Sequence, residues 1–116
     1  MEKILEVSLL FDFYGELLTE KQKLIFEMKY SNDLSFSEIG ENLGISRQAA
    51  FDQLRRTEKI LSGYEKKLKL VARFLAQKKL LGEIKLIISD MENSTDEKTI
   101  NANIKKLKRI SEKILL

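Results

Sequence analysis

The stretch SFSEIGENLGISRQAAFDQLRRTEKIL, residues 35–61, decides the fold of this 116-residue chain. Ser35 and Glu38 form the S-x-x-E pattern of a capping box, which predicts a helix that begins at Phe36. Further along, the apolar residues again recur at helical spacing, and this part of the stretch carries several arginines. The stretch therefore predicts two short helices joined by a tight turn, of which the second is basic.

Two glycines and one serine are typical of that turn. Gly40 is small at the point where the two helices must approach closely. Gly44 follows Leu43 and suits the left-handed backbone conformation that ends a helix. Ser46 is a good N-cap for the second helix. This layout is that of a helix-turn-helix, the unit that lays its second helix in a DNA major groove.

Four further helices are predicted outside this stretch, so the sequence predicts an all-α fold. Thr19 and Gln22 form a second capping box, and Ser94 and Glu97 form a third. The pair Ser62-Gly63 marks a break or a bend before the long helix. The six predicted helices cover Glu2–Tyr14, a segment that ends near Tyr30, Phe36–Leu43, Arg47–Leu61, Tyr64–Met91 and a last segment that carries Ile100 to Ile114.

The predicted domains are a helix-turn-helix unit over residues 1–62 and a helical hairpin over residues 63–116. The hairpin helices run antiparallel because their connection is short. The long helix carries two apolar stripes and needs two partners. One partner is the helix-turn-helix unit or the last helix, and the other is predicted to be a second copy in a homodimer; the alternative is that the hairpin folds back onto the N-terminal unit. One stripe consists of Leu70, Phe74, Leu81, Ile84, Ile88 and Met91, and the other of Tyr64, Leu68, Val71 and Leu75.

The composition excludes several classes of protein. Cysteine and histidine are both absent, which removes disulfides, thiolate nucleophiles, imidazole bases and the usual zinc ligand sets. An enzyme is therefore not expected, and neither are catalytic residues, a cofactor or a metal. No apolar stretch approaches bilayer length, and Glu6 and Asp12 interrupt the N-terminal apolar run. These features predict a soluble cytoplasmic protein that does not contact a membrane.

Charge is distributed unevenly along the chain, although the net charge is only +3. Residues 1–45 carry nine acidic and four basic side chains, whereas residues 46–80 carry ten basic and three acidic ones. The basic excess thus begins at the second helix of the motif, which makes nucleic acid a plausible partner. The alternative for the lysines of residues 66–79 is that they solvate the outer face of a helix.

The second helix of the motif carries the candidate contacts to nucleic acid. Arg47 and Gln48 stand at its start, where a docked recognition helix reaches base edges, and these side chains pair with guanine and adenine. Three cationic residues further along the helix are expected to meet phosphates, as are the free amides behind Ser46. The predicted nucleic-acid-binding residues are Ser46, Arg47, Gln48, Asp52, Arg55, Arg56 and Lys59.

The alternative is a purely structural three-helix unit whose outer face is solvated. Asp52 stands in the middle of the candidate helix, where it would repel a phosphate. Asp33, Glu38 and Glu41 make the preceding helix acidic at the place where it would cross the DNA backbone.

The segment EIGENLGISRQAAFDQLRRTEKIL resembles region four of sigma-70-type transcription factors, in which an E-I-G…G-[IV]-[ST]-R pattern carries the turn. With the upstream segment LFDFYGELLTEKQK, the sequence resembles more closely the small YlxM-type helix-turn-helix proteins of Gram-positive bacteria and mycoplasmas. The resemblance is strongest over residues 9–80. It implies an all-helical cytoplasmic protein and a regulatory link to the signal recognition particle pathway, inferred for the family largely from gene neighbourhood.

Two hypotheses of different class follow. The first is a DNA-binding regulator that docks Arg47–Lys59 in a major groove. The second is an accessory protein that contacts RNA or protein components of the signal recognition particle through the basic stretch Lys66–Lys79. The residues of this secondary basic patch are Lys66, Lys67, Lys69 and Arg73.

Overall fold

The computed structural model describes residues 3–114, and every regular element in this range is helical. The predicted all-α fold is confirmed. Glu2, where the sequence predicts the first helix to begin, lies outside the described residues. A single 3₁₀ turn follows the first helix at Gly15–Leu17. The α-helices are α1 (Lys3–Tyr14), α2 (Glu20–Tyr30), α3 (Phe36–Leu43), α4 (Arg47–Leu68), α5 (Leu70–Glu92) and α6 (Glu97–Ile114).

The chain forms two compact units, of which the first ends at Val71 and the second begins at Ala72. Helix α5 therefore begins in the first unit. The first unit holds α1 to α4 and contains most of the buried apolar residues. Its core consists of Val7, Leu10, Tyr14, Leu18, Ile25, Phe26, Ile39, Ala50, Leu54, Leu61 and Val71.

The predicted capping box at the start of α3 is present. The Ser35 hydroxyl accepts a hydrogen bond from the Glu38 backbone N–H at 3.1 Å, and the Ser35 N–H donates to the Glu38 carboxylate at 3.0 Å. These bonds lower the pKa of the Glu38 carboxyl, because the backbone donor favours its ionised form. The same reciprocal pair between Thr19 and Gln22 begins α2.

The turn between α3 and α4 follows from its two glycines, as predicted. Gly44 has φ 68° and ψ 33°, and its N–H donates to the Gly40 carbonyl. A Cβ at Gly40 would lie 2.6 Å from the Ile45 backbone oxygen, closer than any side chain tolerates. The Ser46 hydroxyl then caps α4 by accepting from the Ala49 N–H at 3.0 Å.

The predicted end of α4 at Leu61 is wrong, and so is the predicted start of the next helix at Tyr64. Helix α4 continues through Ser62-Gly63 for 22 residues in all, and α5 begins only at Leu70. A glycine inside a helix costs about 1 kcal/mol relative to alanine, but tertiary contacts on both sides of this pair exceed that cost. The chain breaks instead at Lys69, which has the left-handed φ of 55°.

Those tertiary contacts centre on Tyr14 and Glu65. Tyr14 is fully buried, and its hydroxyl donates to a Glu65 carboxylate oxygen at 2.6 Å. The same carboxylate oxygen accepts from the Val71 N–H, and the Tyr14 hydroxyl accepts from the Leu70 N–H, each at 3.0 Å. Two orphan amides at the start of α5 are thereby satisfied, which stabilises the break at Lys69.

A second tyrosine joins another element to α4 in the same way. The Tyr30 hydroxyl, at the end of α2, donates to the Glu58 carboxylate. Next to Glu58, the buried Thr57 hydroxyl donates to the Gln53 carbonyl at 2.9 Å, so it needs no partner outside α4. Both α1 and α2 are therefore fixed to the inner face of α4 by a tyrosine–glutamate hydrogen bond.

The second unit is a hairpin in which α6 runs antiparallel to α5, as predicted. Asn103 is buried, and its side-chain amide donates to Asp90 at 2.7 Å. Ile110, two turns further along α6, is buried as well. The predicted third capping box is absent, since the Ser94 hydroxyl accepts from the Asp96 N–H. The Asp96 carboxylate accepts from the backbone N–H of residue 98 instead.

The capping box of α3 gives a first testable prediction. Replacing Ser35 by alanine removes one hydroxyl acceptor from an exposed helix start, so the free energy of unfolding should fall by about 1 kcal/mol. Ser37→Ala, an exposed serine in the first turn of the same helix, is the control and should leave stability within about 0.5 kcal/mol of the parent. Thermal unfolding curves measure both variants. Equal midpoints for Ser35→Ala and the parent would contradict a stabilising cap at this position.

The Tyr14 hydrogen bonds give a second prediction. Tyr14→Phe keeps the ring but removes a bond to a charged group, so the free energy of unfolding at pH 7 should fall by about 1.5–3 kcal/mol. Tyr64→Phe is the matched control, because that ring packs on Tyr14 with centroids 5.9 Å apart while its hydroxyl has no hydrogen bond among the described residues. Urea denaturation measures the difference.

The same variant has a defined pH dependence. Burial and the bond to Glu65 raise the pKa of Tyr14 above its ordinary value of 10.0, so the folded state holds this proton more tightly than the unfolded state. The resulting stability is fully present below pH 10 and is lost as the pH rises above it. Tyr14→Phe should lose less stability than the parent between pH 9 and about pH 11. Parallel curves for the two proteins would show that Tyr14 does not titrate with folding.

Candidate nucleic-acid interface

The inner face of α4 is fixed in the core of the first unit, and this fixes which side chains face outward. Ala50, Leu54, Thr57 and Leu61 recur at helical spacing and are at most 3% exposed. The face of α4 opposite to these four residues is exposed to solvent. All seven residues predicted to bind nucleic acid are exposed: Ser46, Arg47, Gln48, Asp52, Arg55, Arg56 and Lys59.

Gln48 and Asp52 form a pair on this outer face. They lie one turn apart, and the Gln48 side-chain amide donates to an Asp52 carboxylate oxygen at 3.0 Å. A glutamine reads adenine by donating from its amide nitrogen to N7 and accepting from the N6 amino group at its amide oxygen, and the bond to Asp52 engages one hydrogen of that amide nitrogen. The bond also positions the Asp52 carboxylate, which opposes phosphate binding. The residue that holds it, Gln48, is the one predicted to read a base.

The predicted interface also has four exposed cationic side chains along α4. Arg47 is the first residue of α4, where the backbone amides of the first turn are also available to an anion. Arg55, Arg56 and Lys59 follow over the next turns of the helix. Against the single charge of Asp52, the exposed start of α4 is therefore a cationic surface.

An aromatic cavity beside this surface is a feature that the sequence analysis missed. Phe36, the first residue of α3, and Phe51 of α4 are half-buried and pack edge to face, with ring centroids 5.2 Å apart. Together with Arg47 and Gln48 they line a cavity of about 190 Å³. The sequence places Phe51 beside the core face of α4, and only the position of Phe36 across the turn reveals the opening.

Two cations lie against these rings, Lys29 and the Arg55 already described. The Lys29 ammonium is 4.5 Å from the centroid of the Phe36 ring, and the Arg55 guanidinium carbon is 5.5 Å from that of Phe51. The Lys29 ammonium also donates to the Leu34 carbonyl at 3.3 Å, which holds it in place. Cation–π contacts of this kind keep positive charge at the edge of an apolar opening.

Because α4 continues to Leu68, most of the secondary basic patch lies at the end of this helix. Lys66 and Lys67 belong to the last turn of that helix, Lys69 is the left-handed residue after it, and all three are exposed. Gln48 and Lys66 are 18 residues apart, which is five full helical turns, so both lie on the same face of α4. Arg73 is exposed on α5, in the second unit.

The described residues contain no group of three or more histidine, cysteine, aspartate or glutamate side chains that could hold a metal ion. The acidic residues near the α5–α6 turn are instead engaged locally, since Asp90 accepts from Asn103 and Asp96 accepts at the start of α6. Within residues 3–114, none of the helices combines the length and the apolar character that a membrane span requires.

Comparison with known proteins gives a consistent result along most of the chain. A family model described as "Putative helix-turn-helix protein, YlxM / p13 like" matches residues 1–106. UPF0122 proteins of Bacillus cereus strain AH187, Bacillus anthracis strain A0248 and Bacillus thuringiensis subsp. konkukian strain 97-27 are each 41% identical over 97 residues. That alignment covers 84% of this chain and 88% of each relative.

Proposed function

Because the chain belongs to the YlxM/p13-like family of UPF0122 helix-turn-helix proteins, we propose that it is a non-enzymatic regulator that binds nucleic acid, in the first place duplex DNA. The observation that carries the proposal is the exposed face of α4 from Arg47 to Lys59, which carries four cationic side chains and the carboxylate of Asp52. This helix follows a left-handed turn and is fixed on its inner face by the core. A rigid helix with a free cationic face is what a recognition helix needs.

The residues take distinct roles in this proposal. Arg47 and Gln48, in the first turn of α4, contact base edges in the major groove. Arg55, Arg56 and Lys59 contact phosphates, which position the helix without reading sequence. Asp52 holds Gln48 through the 3.0 Å hydrogen bond and disfavours any docking that brings a phosphate to the middle of the helix.

A second candidate function is supported by the unbroken course of α4. The helix carries Lys66 and Lys67 beyond the predicted break, so the cationic surface extends over roughly 33 Å at 1.5 Å per residue. A surface of this length also suits a structured RNA. In this alternative the protein is an accessory factor that contacts RNA or protein components of the signal recognition particle, the pathway that the family resemblance implies.

Homodimerisation through α5 is part of the proposal. The stripe that runs from Leu70 to Met91 stays largely uncovered in one chain, with Leu81 52% and Ile88 45% exposed. Apolar side chains at this spacing favour a partner helix, and a two-fold symmetric helix-turn-helix protein would present two copies of α4 to DNA. The occupant we propose is the same stripe of a second copy.

The base-reading and phosphate-binding roles differ in their salt dependence and selectivity. Arg47→Ala should weaken binding to the preferred duplex by about 1–3 kcal/mol and change binding to a random duplex little. Arg56→Ala should weaken both duplexes alike and reduce the salt slope by about 0.9, the value for one phosphate. Lys105→Ala, which removes one exposed charge from the second unit, is the control. Fluorescence anisotropy over a salt series measures all three variants.

The same assay separates the two candidate functions. If the protein is an RNA-binding accessory factor, replacing Lys66, Lys67 and Lys69 together by alanine should abolish binding to a structured RNA, and Arg47→Ala should not alter duplex selectivity. No measurable binding of the parent to any duplex at low salt would contradict the DNA proposal. The preferred duplex is obtained by selection from a random pool with the parent protein.

The dimer proposal is tested by one charge in the stripe. Leu81→Lys places an unpaired ammonium in the proposed interface and should convert dimers to monomers, because burying such a charge is costly. Ser89→Lys adds the same charge to an exposed position of α5 outside the stripe and should leave the dimer intact. Light scattering after gel filtration measures the mass of each species. A monomeric parent at high concentration would contradict the interface.

A further inference from the structure

The aromatic cavity at the start of α4 has no role in reading a regular duplex, and its dimensions indicate another ligand. We propose that the cavity lined by Phe36, Phe51, Arg47 and Gln48 binds a single unstacked nucleobase, so that the protein prefers nucleic acid with an unpaired base to a fully paired helix. The inference rests on the proposed function, because it names the kind of nucleic acid that α4 binds.

The size of the cavity fits one base. Its volume of about 190 Å³ is the space of roughly six water molecules, which matches a flat heterocycle and greatly exceeds a thymine methyl group. Two of its four lining residues are phenylalanines, and every nucleobase has a π-face that packs on an aromatic ring. A duplex that keeps all its bases paired cannot fill this space, because its bases are stacked on each other.

The groups around the cavity complement a nucleotide rather than an apolar ligand. Arg47 lines the opening, and the first-turn amides of α4 are adjacent to it, so a phosphate attached to the bound base meets positive charge. Lys29 lies against the Phe36 ring on one side and Arg55 against the Phe51 ring on the other. Aromatic rings interleaved with cations are the arrangement with which proteins hold single-stranded segments.

The Gln48–Asp52 pair supports the same conclusion independently. It occupies the centre of the outer face of α4, where a paired base edge would approach, and it places a carboxylate there. Gln48 also lines the cavity, and its amide oxygen, which the bond to Asp52 does not use, can accept from the edge of a base that enters it. The aromatic flank of α4 therefore offers a place for one unpaired base, beside the outer face at which the helix meets paired bases.

The unstacked base can come from DNA or from RNA, and the experiment has an arm for each. The probes are two hairpins of the same 20-base-pair sequence, one fully paired and the other with a single bulged adenine. Each hairpin is synthesised once as DNA and once as RNA, which gives four probes. The full-length protein is titrated against each probe by fluorescence anisotropy. In a second measurement 2-aminopurine replaces the bulged adenine, because its fluorescence falls when it stacks on an aromatic ring.

The bulged hairpin should bind at least about fivefold more tightly than the paired one, the lower end of what one stacked base contributes. Phe51→Ala should bring that ratio to about one while binding to the paired hairpin changes less than about twofold. Phe51→Leu keeps an apolar side chain against Phe36 and should lose the preference without loss of folding, which circular dichroism verifies. Ile60→Ala, which truncates an exposed apolar residue on α4 outside the cavity, should retain both the preference and the quenching.

Three outcomes overturn the inference, and a fourth supports it and identifies the source of the base. Equal binding of paired and bulged hairpins by the parent excludes a base in the cavity while the proposed function stands. A preference that survives in both Phe51 variants, with 2-aminopurine still quenched, places the base elsewhere. The absence of binding to all four probes at low salt removes the proposed function together with the inference. If the protein prefers the bulged hairpin only as DNA or only as RNA, that nucleic acid is the source of the base.

Discussion

The hydrogen bonds around the Glu65 carboxylate are the constraint on which the rest of the first unit depends. One oxygen of this carboxylate accepts from the Tyr14 hydroxyl and from the Val71 amide, so α1, the end of α4 and the start of α5 meet at one acceptor. Burial strengthens these bonds, because water does not compete for the donors. Because the half-buried Glu65 carboxylate accepts from both donors, the geometry of the three segments is interdependent.

That constraint also determines the shape of the candidate interface. Since Glu65 must reach Tyr14, α4 cannot end at Leu61, and the helix that carries Arg47 at its start also carries Lys66 near its end. The tyrosine–glutamate bond at Tyr30 fixes the middle of the helix in the same way. Arg47 and Lys66, which are 19 residues apart in the sequence, thus lie on one continuous helix. A ligand that binds at the start of α4 therefore has a fixed position relative to the lysines near its end.

The parts of the fold that could be predicted from sequence are those decided within a few residues. The capping box at Ser35, the left-handed Gly44 and the close approach at Gly40 depend on local geometry, and the structure has all three. The continuation of α4 could not be predicted, because it depends on Tyr14, 51 residues before its partner Glu65. The aromatic cavity escaped for the same reason, since Phe36 and Phe51 meet only once the turn has folded. The exposure of the six candidate residues within α4, Arg47 to Lys59, agrees with helical periodicity, but periodicity does not reveal that Gln48 is bonded to Asp52.

Gly40 has a consequence for how this protein family can diverge. Every other amino acid carries a Cβ, and here that atom would lie 2.6 Å from a backbone oxygen that cannot move without opening the turn. Any codon change that alters this residue therefore damages the fold before it can alter recognition. Descendants of this sequence can acquire new ligand preferences at Arg47, Gln48 or Phe51, where side chains face solvent or a cavity, while the angle between α3 and α4 is inherited unchanged.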